Sequence, residues 1–162
     1  MMRRGNVALP PANKMKPTAI QDLYPDDFAH CFGCGRSNPT GHQLKSFAEG
    51  EEVVARFTPS AHHISVPGFV YGGLLASLAD CHAMATAAAE RPKEDGFAPR
   101  FVTAALKVEY LKPTPLGPEL EIRGRVTERS ERKAVVAVTI SAAGTITVRA
   151  EAVAVRIPKS MQ

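Results

Sequence analysis

The distribution of hydrophobic residues predicts an α+β fold in which an antiparallel β-sheet is wrapped around one long central helix. Residues 72–90, GGLLASLADCHAMATAAAE, are dense in alanine and leucine, with no proline and no glycine after Gly73, which is the composition of a helix interior. From residue 102 onward the chain reads as successive runs of alternating or β-branched residues joined by short connections, and short connections make antiparallel neighbours. The helix is apolar around most of its circumference, so the sheet must enclose it.

The chain has 162 residues, 44% hydrophobic and 22% charged, enough apolar content for a single core without disulfide support. Residues 1–18 hold Pro10, Pro11 and Pro17 among small and basic residues with no apolar period. Residues 1–30 are therefore assigned to an N-terminal arm, within which 20–28 have the apolar content of a short helix or docked turn. The domain is taken to run from 31 to 162, starting with CFGCGRSNPTG, an irregular loop of glycine, proline and asparagine. EEVVARFT, 51–58, reads as a strand ended by Pro59, and 60–70 as a loop. Arg91 and Pro92 stop the helix. Alternation then marks strands over 102–110 and 120–127, and Val, Ile and Thr mark 133–141 and 145–157, with Ala143-Gly144 a hairpin signal between the last two.

The net charge of +4 favours anionic partners, but few aromatics interleave the basic residues, so nucleic acid is not expected. The start, MMRRGNVALPPANKMKP, lacks the apolar core of a secretory signal. The apolar stretch 69–89 is interrupted by Gly72, Gly73, Asp80 and His82, short of the roughly 18 apolar residues of a membrane span. Three cysteines do not make a secreted disulfide framework. A cytoplasmic protein with no membrane partner is expected. Arg123, Arg125, Arg129, Arg132 and Lys133 read as a solvated sheet face or, with Arg100 and Lys107, as contacts for phosphate groups.

At about 100° per residue, Gly73, Ser77, Asp80 and Met84 fall near one line along the helix. Asp80 there is expected to be partly desolvated, which raises a carboxyl pKa toward values useful to a general base or nucleophile; the alternative is an exposed or structural acid. Tyr71-Gly72-Gly73 opens the helix, where backbone N–H groups without intrahelical acceptors form a positive pocket suited to an oxyanion. A glycine pair at that place is otherwise simply a tight turn. His62 and His63 lie in the preceding loop, as candidate substrate contacts or solvated residues. His82, about 200° round the helix from Asp80, is expected to be packed and hydrogen-bonded inside the sheet or at a subunit contact, and Cys81 to be a small buried apolar group. His30, Cys31, Cys34 and His42 have the residue types of a zinc site. A second Cys-x-x-Cys is missing, and no metal or other cofactor is expected.

The run PGFVYGGLLASLADCH, followed by FVTAALKVEYLKPTPLG, resembles the hotdog-fold acyl-CoA thioesterases of the PaaI-like superfamily. Those enzymes commonly show His-Gly-Gly at the helix start, an Asp seven residues after the second glycine, and a later strand ending in an aromatic, a basic residue and proline. CFGCGRSNPTG resembles an N-terminal element of one branch, which accounts for the loop without zinc. The resemblance implies hydrolysis of an acyl-CoA to CoA and a carboxylic acid, with the Gly73 amide polarising the thioester carbonyl, helped by Gly72 or Tyr71, and Asp80 activating water or attacking directly. It makes His63, Ser65, Ser77, Met84, Arg100 and Thr103 substrate-binding candidates, with Arg100 and Thr103 reaching a partner's site, and implies a homo-oligomer, dimer or tetramer, with sites at the subunit boundary. Tyr71 stands where many members have His, and Ser65 where many have Asn. Two other readings are an enoyl-CoA hydratase or dehydratase using His63 with Asp80, and an acyl-CoA-binding module without turnover.

Overall fold

Alternating burial along the strands and a helix buried on nearly every side follow from the sequence pattern. The computed structural model describes residues 17–158 and residue 161; the part of the expected arm over 1–16 lies outside them. Strands β1 (Ser46–Glu49), β2 (Glu52–Phe57), β3 (Phe101–Tyr110), β4 (Leu120–Arg129), β5 (Lys133–Ala142) and β6 (Thr145–Arg156) form one antiparallel sheet in the order β1-β2-β4-β5-β6-β3. Helix α1 (Gly72–Ala89) packs against all six strands. It buries Leu74, Leu75, Leu78 and every residue from Cys81 to Ala88, most of them small. Alanine lets the strands approach closely, and Gly124 of β4 goes further: a Cβ there would meet Thr86 Oγ1 at 2.3 Å.

β5 and β6 are joined at Ala143 and Gly144, both at positive φ, 48° and 78°, as a tight two-residue hairpin turn requires. β1 is an element the sequence reading lacked. It spans four residues of which only Ser46 is buried, so no apolar alternation announces it. Ile20 and Tyr24 are part of the core and Gln21 is buried, so residues of the assigned arm pack as the domain does.

Gln21 begins a buried polar chain. Its side chain donates to Ser46 Oγ at 2.9 Å and accepts from the Ser46 amide at 2.8 Å. Ser46 Oγ meets His82 Nδ1 at 2.9 Å, and His82 Nε2 meets the Val53 carbonyl at 3.0 Å. A carbonyl only accepts, so Nε2 carries the proton and Nδ1 accepts from Ser46. Burial pushes the His82 pKa down from 6.5 to about 4, and the ring is neutral with both nitrogens satisfied.

Candidate functional site

The start of α1 is built by the loop before it. Pro67-Gly68, with Gly68 at φ +88°, turns the chain back so that the Ser65 amide bonds the Phe69 carbonyl at 3.0 Å. The Tyr71 amide then donates to His63 O at 2.8 Å. Tyr71 caps the helix and lays its ring on Gly73, where a Cβ would stand 2.4 Å from ring carbons. Among the described residues, the Gly72 and Gly73 amides have no backbone acceptor, as a helix's first turn dictates. Tyr110, at the end of β3, donates its hydroxyl to Gly72 O at 2.8 Å and braces this turn. The sequence reading used that residue only as the aromatic ending a strand. Ser65, Val66, Phe69, Gly72, Tyr110 and Leu111 line a groove of about 460 Å³ opening on the helix start.

Asp80 lies further along α1, half-buried, on the side facing β3, where it accepts a hydrogen bond from the Thr103 hydroxyl. β3 is an outer strand of the sheet, with Thr103, Ala104 and Ala105 exposed. At 1.5 Å rise per residue, the seven residues from Gly73 to Asp80 span about 10 Å. Amide and carboxylate of one chain are therefore too far apart to act on a single carbonyl, although they share a helix face.

Other residues from the sequence are placed elsewhere. Met84 is buried in the core. Ser77 lies under the 31–41 loop, its Oγ 3.4 Å from where a Cβ of Gly33 would be. The Arg100 guanidinium lies 4.7 Å from the centre of the Tyr24 ring, and Thr103 meets Asp80. His63 accepts from the Ser60 amide at Nδ1, 2.9 Å, and stacks with His62 and His42. Burial, then the neighbouring His62 and His42, lower its pKa. Within the chain, the His63–Asp80 pair of the hydratase reading is not formed, because each side chain is engaged elsewhere.

Of the seven basic residues weighed as phosphate contacts, three are held in ion pairs: Arg123 with Glu52 and Glu121, Arg129 with Glu90, and Lys107 with Glu109. Cys81 is buried in the core as expected, and its sulfur also joins those of Cys31 and Cys34, all within 4.8 Å of one another, while His42 packs on Phe32 and Phe57.

A six-stranded antiparallel sheet of this topology wrapped around one helix defines a hotdog domain. A family model describing the thioesterase superfamily matches residues 67–153, and the chain belongs to that superfamily. A thioesterase superfamily protein from Shewanella loihica PV-4 is 43% identical, with TM-score 0.65, over 83% of this chain and all (100%) of that one. The PaaI protein of E. coli, from the phenylacetic acid degradation operon, is 18% identical with TM-score 0.62, over 72% of this chain and 81% of that one. A Streptococcus mutans protein bound to acetyl CoA is 21% identical with TM-score 0.59, over 72% and 90%. The last two show the fold alone. No curated protein gives a significant match. Among the described residues, no helix is long and apolar enough to cross a membrane.

Proposed function

We propose that the protein hydrolyses an acyl-CoA thioester to CoA and a carboxylic acid, at a site assembled from two copies of the chain. The observation that carries this reading is the division of the machinery along α1. Unengaged amides and an apolar groove lie at one end, and an acid positioned by Thr103 lies about 10 Å away at an open sheet edge. The outer edge of the ten-residue β3, which has no partner strand among the described residues and carries exposed alanines, is a ready surface for a second copy. Pairing there brings the Gly73 amide of one copy to the Asp80–Thr103 pair of the other.

In this arrangement the thioester carbonyl oxygen accepts from the Gly73 N–H, with Tyr71 and Ser65 as further donors nearby. The helix start favours the negative charge that develops on that oxygen. The Thr103 hydroxyl occupies one Asp80 oxygen, and the other takes a proton from water as the water attacks the carbonyl carbon. Collapse of the tetrahedral intermediate expels the CoA thiolate, which is then protonated. The acyl group takes the groove lined by Val66, Phe69 and Leu111. The S. mutans neighbour's bound acetyl CoA supports a CoA thioester as substrate.

The test follows thiol release from a panel of acyl-CoAs. Asp80→Asn removes the base. Gly73→Pro deletes the amide N–H at a first-turn position whose backbone accepts proline, and its ring displaces the exposed Tyr71 ring that lies on Gly73. Both variants are expected to lose turnover, and mixing them with subunit exchange is expected to restore up to about a quarter of wild-type activity, since half the dimers are mixed and carry one intact site in two. Full activity of Asp80→Asn overturns the mechanism, and failure of exchanged mixtures to recover overturns the shared site. Acyl-CoA binding by the wild type with no thiol release favours a binding module.

A further inference from the structure

Cys31, Cys34 and Cys81 converge from two parts of the chain, the first two from the 31–41 loop and the third from α1. The Cys31 and Cys81 sulfurs are 3.7 Å apart, and all three lie within 4.8 Å of one another. Zinc–thiolate bonds of about 2.3 Å at tetrahedral angles put ligand sulfurs about 3.8 Å apart, so the Cys31–Cys81 spacing is that of two thiolates on one ion, with Cys34 within 4.8 Å of both. The loop is shaped to reach it: a Cβ at Gly33 would stand 2.3 Å from Cys81 Sγ, so only glycine lets the loop close down on the helix. Cys34 and Cys81 are buried, at 2% and 7% exposure, and thiols offer one another only weak hydrogen bonds.

Two neighbours point the same way. The Tyr24 hydroxyl is buried with no hydrogen bond of good geometry among the described residues; Arg100 first, then Cys34 and Cys81, lie within electrostatic reach of it. Arg100, stacked on Tyr24, is in turn within reach of Cys34, Cys31 and Cys81. Three thiolates and a divalent ion carry one net negative charge, and the Arg100 guanidinium offsets it.

We propose that Cys31, Cys34 and Cys81 bind one zinc ion, its fourth position filled by a water or hydroxide that gives the Tyr24 hydroxyl a partner. The ion ties the 31–41 loop to α1 at the residue after Asp80. This departs from the sequence-level expectation of no metal, which weighed His30 and His42 with Cys31 and Cys34 and lacked the third thiol. Binding displaces the thiol protons to solvent, so affinity rises with pH.

The experiment is elemental analysis of the untagged full-length protein, produced with zinc in the medium and purified without chelator. About one zinc per chain is expected. Cobalt(II) added to the metal-free protein is expected to give the intense near-ultraviolet thiolate-to-cobalt absorption and the visible bands of a tetrahedral site. Cys31→Ser, at the half-exposed position, and Cys81→Ser are each expected to lose the ion and those bands, whereas His42→Ala keeps both. Folded wild-type protein that holds only traces of zinc and gives no cobalt–thiolate absorption overturns the proposal. So does a native mass two protons short, which marks a disulfide in place of the ion. None of these readouts depends on thioester hydrolysis.

Discussion

Asp80 and His82 are two residues apart on α1, and the sheet treats them in opposite ways. His82 faces β1 and β2, fully buried, with Ser46 and Val53 occupying its ring nitrogens and Gln21 closing the chain behind Ser46. Asp80 faces β3, an outer strand, half-buried, with a single partner in Thr103. A helix enclosed by a sheet still has one side where the sheet ends, and a polar residue there keeps hydrogen-bonding capacity to spare. The inward position selects for complete pairing, because an unsatisfied group inside costs about 1–3 kcal/mol.

Substitutions break this contrast in order of size. Asp80→Asn removes the acid without changing shape and should lower turnover by about three orders of magnitude or more, with an unchanged circular dichroism spectrum; thiol-release kinetics check both sides. His82→Gln keeps a donor and an acceptor but cannot titrate. The folded pKa of His82 lies below its unfolded value, so its contribution to stability is complete above about pH 6.5 and is lost as the pH falls through about 4. The wild type should lose about 3 kcal/mol across that window from this residue, and urea unfolding at several pH values should show this part of the acid slope missing in the variant. Thr103→Val should lower kcat by about tenfold with little change in KM, as expected for loss of a hydrogen bond to a charged group. Tyr110→Phe, which frees Gly72 O, should cost about 1 kcal/mol in denaturant unfolding.

The contrast was partly legible in the sequence. Angular arithmetic separates Asp80 from His82 and assigns the latter to the inside, and the dense alanines of α1 require an enclosing sheet. The same arithmetic misleads for Ser77 and Met84. They share Asp80's line, but the enclosure is not uniform along the helix, and that line runs under a loop at one point and into the core at another. β1 escapes notice because an edge strand with one buried residue has no period. The Gln21–Ser46–His82 chain and the meeting of Cys81 with Cys31 and Cys34 join residues far apart in the chain, which local pattern cannot link. Arg100 reads from its neighbours as a basic residue at the start of a strand, and its place over the Tyr24 ring comes from packing alone.

The distance along α1 between Gly73 and Asp80 has a consequence for how the protein behaves at low abundance. With the proposed site divided between copies, a lone chain carries both kinds of group but no complete site. Below the dissociation constant of the pair, specific activity falls as the protein is diluted, and the rate follows roughly the square of total concentration. Catalytic output would then report how much of the protein is present as well as how much substrate it meets.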